Sequence, residues 1–283
     1  MRIGLITPRP GHPLLAGATA LLAPRHEVRW LDPGRAAHDI GPLADVYLLK
    51  ARTPGAVALA RKLEERGAPV LNTAAATGLC QDREAMAALA REFLLPFAPT
   101  RSAASLAAAA AEPGLPYPLV VKSRRSRGGD LVALAATPSA LRALLPRWRD
   151  EPVVVQPYTL GDGWDHKVWV IGGRLFTARR RSELANPHPA PPPGALPPGW
   201  DAVALRVGEV FALDVYGVDM IDAGGGAPLV VDVNAFPGAR GRPGAPAALA
   251  ALALRAAAEG AAGERAWRRT SGADGPHLGT QGA

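Results

Sequence analysis

The chain has 283 residues, 48% hydrophobic and 20% charged, which fits a globular protein and excludes a disordered or low-complexity one. No apolar stretch reaches the roughly 18 residues that cross a bilayer, and the first apolar run meets Pro8 before it makes a signal-peptide core. The net charge of +7 permits nucleic-acid binding, while the single cysteine, Cys80, excludes an internal disulfide and points to the cytoplasm.

Taken in chain order, Arg2 to Thr7 reads as a buried strand and Pro13 to Ala23 as a helix. His26 to Asp32, Asp45 to Lys50 and Pro69 to Asn72 read as further strands. Between the last two, Pro54 to Arg66 is a helix with proline at its start and Gly67 at its end. This is a βαβ lobe, residues 1–75, with a parallel sheet. A second α+β lobe, 76–158, has helices at Asp82 to Glu92, Ser105 to Glu112 and Pro138 to Trp148. Its strands are Tyr117 to Ser123, Leu131 to Ala135 and Val153 to Tyr158.

The third lobe, 159–262, opens with a hairpin, His166 to Ile171 and Arg174 to Arg181, around Gly172-Gly173. The proline-dominated stretch Asn186 to Trp200 reads as an exposed loop, a candidate lid. A helix at Asp201 to Leu213 precedes a second hairpin, Tyr216 to Asp222 and Leu229 to Ala235. Gly244 to Glu259 is an alanine-rich helix, and 263–283 reads as a disordered tail.

Only four of the 32 basic residues are lysines, Lys50, Lys62, Lys122 and Lys167. Abundant arginine, alanine, glycine and proline fit a genome-wide codon bias better than a basic binding face, so nucleic acid is not expected as a partner. A lysine inside a strand is then an unusual choice. Lys122 ends the apolar run Leu119-Val120-Val121, and the turn after it holds Gly128 and Gly129, whose amides suit phosphate. A surface hairpin with snorkelling cations gives the same pattern.

Residues two apart in a strand share a face, so Asp232 and Asn234 point the same way, and Asp219 lies on the partner strand of that hairpin. Oxygen ligands on one rigid face suit Mg²⁺, although a solvated strand face reads alike. Lys167 and Arg180 put cations on adjacent strands, where they suit a triphosphate or an anionic substrate, although a run of exposed arginines reads alike.

In order, Val120-Val121-Lys122, the glycine turn, Val155-Gln156-Pro157-Tyr158, His166-Lys167-Val168-Trp169-Val170-Ile171-Gly172, Arg180, Gly217-Val218-Asp219 and Asp232-Val233-Asn234-Ala235-Phe236-Pro237-Gly238 resemble the ATP-grasp superfamily. The resemblance covers roughly residues 70 to 260 and implies an ATP-grasp fold with a βαβ pre-ATP-grasp lobe. It implies ATP and Mg²⁺ as cofactors, with Mn²⁺ an alternative. Lys122 and Lys167 would contact phosphates, and Gly128 and Gly129 would belong to a lid over them. Gln156, Pro157 and Tyr158 would lie at the hinge beside adenine, and Asp162 would hold the ribose. Asp219, Asp232 and Asn234 would bind the metal, Arg180 would face the γ-phosphate, and Arg83 would sit near ATP.

Two branches compete. The glutathione-synthetase and ribosomal-protein glutamate-ligase branch joins a carboxylate to an amine through an acyl phosphate. The inositol 1,3,4-trisphosphate 5/6-kinase branch phosphorylates a hydroxyl. Asp232, where many ligases have Glu, resembles the kinase; Leu160-Gly161-Asp162-Gly163 lacks the kinase's Asn-His pair. The ligase is therefore preferred, with a small carboxylate and amine, or a polyol phosphate, as partners. Arg240 and Arg242 suit an acidic substrate in either case. Such enzymes are often homo-oligomers. A non-catalytic ATP- or nucleic-acid-binding protein is the remaining alternative.

Overall fold

The computed structural model describes residues 1–35, 41–161, 163–181 and 196–261. Asp162, most of the proline-rich stretch and the tail lie outside the described residues. The chain divides into two units, Met1–Ala75 with the stretch from Pro243, and Ala76–Arg242.

The first unit contains β1 (Arg2–Ile6), α1 (Pro13–Leu22), β2 (Glu27–Leu31), β3 (Val46–Leu49), α2 (Pro54–Glu65) and β4 (Val70–Leu71). All strands run parallel, in the order β2-β1-β3-β4. Every residue of β3 is buried, the pattern of a parallel strand covered on both faces. Local chemistry sets the ends of α2: the Thr53 hydroxyl accepts from the Ala56 amide at 3.3 Å, Pro54 opens the helix, and Gly67 follows at φ 86°.

The second unit starts with α3 (Ala74–Leu79), which crosses the division, and α4 (Arg83–Glu92). Then come β5 (Arg101–Ala103), α5 (Leu106–Ala111), β6 (Leu119–Ser123), β7 (Val132–Ala135), α6 (Pro138–Arg142), α7 (Leu145–Trp148) and β8 (Val153–Pro157). The strands form an antiparallel sheet, β5-β8-β6-β7, over a core that includes Leu106, Leu119, Val121 and Val155. The single helix expected at Pro138 to Trp148 is two short helices. Pro146 has no amide to donate to the Arg142 carbonyl four residues back, so the hydrogen-bond ladder breaks there and a second helix opens with proline in its first turn.

β9 (Trp164–Ile171), β10 (Arg174–Arg181), α8 (Trp200–Val210), β11 (Val215–Asp222) and β12 (Pro228–Ala235) complete this unit. The sheet is antiparallel, β10-β9-β11-β12. One face carries Val168, Val170, Val218, Met220 and Val233 into a core with Trp200, Ala204, Val207 and Phe211 of α8 and the segment after it. The opposite face carries Lys167, Asp219 and Asp232.

The alanine-rich helix, α9 (Ala245–Ala261), was expected within the third lobe, but it packs in the first unit against α1 and β3. Small residues make this packing close. A Cβ added to Gly17 of α1 would come 2.9 Å from the Pro246 ring, and one on Gly260 would come 2.7 Å from Pro69. Helical periodicity shows that α9 has a buried face, not which sheet covers it.

Candidate functional site

Lys122, next to the last residue of β6, is buried. Its ammonium donates to the Val231 carbonyl of β12 at 2.8 Å, so one hydrogen bond links the two sheets of the second unit. Burial pushes the Lys122 ammonium below its ordinary range; Asp232 and Asp219 oppose this and Arg83 adds to it.

Across β9, β11 and β12, Lys167 stands opposite Asp219, and Asp219 opposite Asp232. Lys167 Nζ is 2.9 Å from one Asp219 oxygen and 3.0 Å from the other. Burial still pushes the Asp219 carboxyl up; Lys167 pulls it down and Asp232 pushes it up again. Asn234 lies two residues beyond Asp232 and its Nδ2 donates to Asp232 Oδ2 at 3.4 Å. Arg180 stands opposite Asp165, with Nε 3.2 Å from Oδ2. Lys122, Lys167, Asp219, Asp232 and Asn234 are thus brought together, with Arg180 on the same face, two residues along β10 from the position opposite Lys167.

The glycine turn joins them through Arg83. Its Nη1 donates to the Ser123 carbonyl and to Asp130 Oδ2, each at 2.7 Å, and its Nη2 is 3.9 Å from Asp232 Oδ2. Gly129 has φ 73°, and a Cβ on either Gly128 or Gly129 would meet nothing within 4 Å, so the turn leaves open space there. Its arginines are committed elsewhere: Arg124 to Asp82 at 2.9 Å and Glu84 at 2.7 Å, Arg125 to Asp82 at 3.3 Å, Arg127 to Glu151 at 2.7 Å. Backbone amides, rather than these cations, are what the turn offers to phosphate.

Gln156 is buried in β8, and its amide nitrogen donates to Thr100 Oγ1 at 2.9 Å. Pro157 ends the strand exposed, and the Tyr158 amide donates to the Pro118 carbonyl at 2.9 Å. Gln156 and Pro157 thus lie in β8 of the first sheet and Tyr158 follows it; Asp162 lies outside the described residues. Phe236 and Ala239, around Pro237-Gly238, hold positive φ of 46° and 41°, an uncommon backbone for residues with a Cβ.

Asp130 and Asp165 were missed from the sequence. Asp165 had a legible signal, since it lies two residues before Lys167 and shares its face. Asp130 had none, because its partner Arg83 is 47 residues away.

The donor set fits Mg²⁺. Two carboxylates and an amide share one face, and burial disfavours the charge of Asp219 although Lys167 is paired with it. Among the described residues no group of three or more His, Cys, Asp or Glu side chains is placed to hold a metal ion. Few protein ligands suit Mg²⁺, which keeps waters and takes substrate phosphate oxygens.

A family model described as a RimK-like ATP-grasp domain matches residues 100–243. The chain is 34% identical over 134 residues to the ribosomal protein bS6–L-glutamate ligase of Escherichia coli strain K12 / DH10B. That stretch is 44% of this chain and 44% of the relative, so the chain matches less than half of the relative's length. A RimK domain ATP-grasp protein from Sphaerobacter thermophilus superposes with a TM-score of 0.70 at 25% identity, covering 89% of this chain and 99% of that one. D-alanine–D-alanine ligase from Bacillus anthracis superposes at 0.68 and 17% identity, covering 94% and 98%, a likeness of fold alone. The mixed α/β lobes are therefore those of an ATP-grasp fold. No helix among the described residues is long and apolar enough to cross a membrane.

Proposed function

Because the chain belongs to the RimK-like ATP-grasp domain family, we propose that it is an ATP- and Mg²⁺-dependent ligase that joins a carboxylate to an amine. The observation that carries this reading is the row Lys167, Asp219 and Asp232, with Asn234 beside it and Lys122 reaching the next backbone carbonyl.

In this reading ATP lies between the two sheets of the second unit. Lys122 and Lys167 bind its phosphates, Gly128 and Gly129 close over them, and Gln156, Pro157 and Tyr158 border the adenine. Asp219, Asp232 and Asn234 would hold Mg²⁺, which would offset the negative charge of the phosphates. A substrate carboxylate oxygen attacks the γ-phosphorus, and the bond to the ADP oxygen breaks, giving an acyl phosphate. Arg180 stabilises the charge on the transferring group. The amine nitrogen then attacks the acyl carbon, phosphate leaves with the bonding electrons, and the amine's surplus proton passes to solvent.

The carboxylate belongs to a small molecule or to the end of a protein chain; the Escherichia coli relative, by its name, joins glutamate to a ribosomal protein. Calorimetric titration with a non-hydrolysable ATP analogue, with and without Mg²⁺, tests the nucleotide site, and magnesium-dependent binding is expected. Product analysis then tests the chemistry. A ligase releases one free phosphate with each ADP, whereas a kinase leaves that phosphate on its substrate.

A further inference from the structure

Arg83 stands between the glycine turn and the candidate metal face. It opens α4 directly after Asp82, whose carboxylate caps the helix, and it is buried. Its Nη1 is fully engaged, with the Ser123 carbonyl and Asp130 Oδ2 each at 2.7 Å. Its Nη2 is 3.9 Å from Asp232 Oδ2, too far for a hydrogen bond, and the buried Nε has no acceptor among the described residues. Two carboxylates thus lie within reach of one buried guanidinium, and only Asp130 holds it.

Which carboxylate holds Arg83 decides what Asp232 can do. Asp232 ends the row Lys167, Asp219 and Asp232, and its Oδ2 accepts from Asn234 Nδ2 at 3.4 Å. A guanidinium drawn onto that oxygen would put a fixed cation where the metal ion is to bind. The Ser123 carbonyl is neutral and does not answer the charge of Arg83. A buried charge that loses its partner is costly, so without Asp130 the guanidinium is driven toward the other carboxylate beside it. The turn fixes Asp130 in place. Its amide donates to the Arg127 carbonyl at 3.4 Å, Arg127 is paired with Glu151 at 2.7 Å, and the next amide, of Leu131, donates to Ser123 Oγ at 3.0 Å.

We propose that Asp130 is a positioning residue for the metal site: it keeps Arg83 on the glycine turn and so leaves the Asp232 carboxylate open to Mg²⁺. This rests on the reading of Asp232 as a Mg²⁺ ligand. The exchange of Arg83 between two carboxylates does not depend on that reading. Asp130 acts through Arg83 and is not itself a ligand.

The test uses the full chain and reads binding rather than turnover. Affinity for the non-hydrolysable ATP analogue is measured by calorimetry over a series of Mg²⁺ concentrations, which gives the Mg²⁺ half-saturation. The proteins are wild type, Asp130→Ala, Asp130→Glu, Arg83→Met and the double variant Asp130→Ala/Arg83→Met. In Asp130→Ala the half-saturation is expected to rise about 10- to 100-fold, the usual cost of losing a group that positions a metal ligand, and Asp130→Glu recovers part of it. Once Arg83 is replaced by Met, Asp130→Ala is expected to have no further effect. An unchanged half-saturation in Asp130→Ala overturns the proposal. So does a rise that persists in the Arg83→Met background, because Asp130 would then act by its own charge. A second measurement needs no ligand. Asp232→Asn is expected to lower the urea midpoint more in the Asp130→Ala background than in wild type, since Arg83 there has only Asp232 left. Equal shifts in the two backgrounds overturn the exchange and the proposal with it. If wild type binds no nucleotide, or binds it without Mg²⁺ dependence, the ligase reading fails and takes the metal role with it, while the urea midpoints still decide whether Asp130 holds Arg83 off Asp232.

Discussion

Asp219 faces Lys167 across the β9–β11 pair, its two carboxylate oxygens 2.9 and 3.0 Å from Nζ. Even so, burial holds the Asp219 carboxyl above its ordinary range, and Asp232 across the next strand pair raises it further. A raised carboxyl means that the folded protein binds this proton more tightly than the unfolded chain does. Its contribution to stability is therefore largest at low pH and declines as the pH rises through the raised value. Urea unfolding of wild type and Asp219→Asn between about pH 4 and 7 is expected to show wild type gaining on the variant as pH falls. The opposite slope would mean that Lys167 outweighs burial. Asp219→Asn is also expected to lose the magnesium dependence of nucleotide binding.

Lys122→Met separates binding from folding. Burial disfavours the ammonium, and methionine is an unbranched side chain of similar size without a charge. The Val231 carbonyl loses its donor, which costs about 1–3 kcal/mol, against a comparable relief of charge burial. Stability is thus expected to change little, whereas affinity for the ATP analogue falls about 10- to 100-fold. Thermal melts and calorimetry on the same samples give both numbers. Undiminished affinity would remove Lys122 from the nucleotide site.

Gly208 sits inside α8, where alanine would ordinarily be more stable by about 1 kcal/mol. Here a Cβ would come 2.1 Å from the Tyr216 hydroxyl oxygen and 2.4 Å from the ring carbon that bears it. The ring is buried, and its hydroxyl donates to the Ala204 carbonyl at 3.0 Å, so it has little room to retreat. Gly208→Ala is therefore expected to lower stability by about 1–3 kcal/mol, the usual result of overpacking. A urea midpoint that rises instead would show that the propensity gain wins.

Gly208 also shows where the sequence stops being informative. Read along the chain it only weakens a helix, because its reason is a tyrosine on another element. The strands of the candidate site were legible: alternation in Asp232-Val233-Asn234 assigns each side chain to a side, and glycine turns mark the hairpins. Pairings between distant segments were not. Arg83 with Asp130, Gln156 with Thr100, and α9 with α1 each depend on which surfaces meet in three dimensions. Short elements such as β5 and α3 were missed because a few residues carry too little periodicity to register.

Arg180 gives the sharpest test of the proposed chemistry. It lies on edge strand β10, half exposed, and its Nε is 3.2 Å from Asp165 Oδ2. A surface pair of this kind contributes at most about 1 kcal/mol to stability, so removing Arg180 leaves the fold intact. If Arg180 stabilises charge only as the phosphoryl group transfers, Arg180→Ala should lower kcat about 10²- to 10³-fold and barely change affinity for the ATP analogue. Asp165→Asn keeps the arginine and weakens only its anchor, so its loss of kcat should be much smaller. Steady-state phosphate release, measured alongside analogue binding, distinguishes these outcomes. Equal losses of kcat and nucleotide affinity in Arg180→Ala would make Arg180 a ground-state phosphate ligand, and an unchanged kcat would remove it from the chemistry.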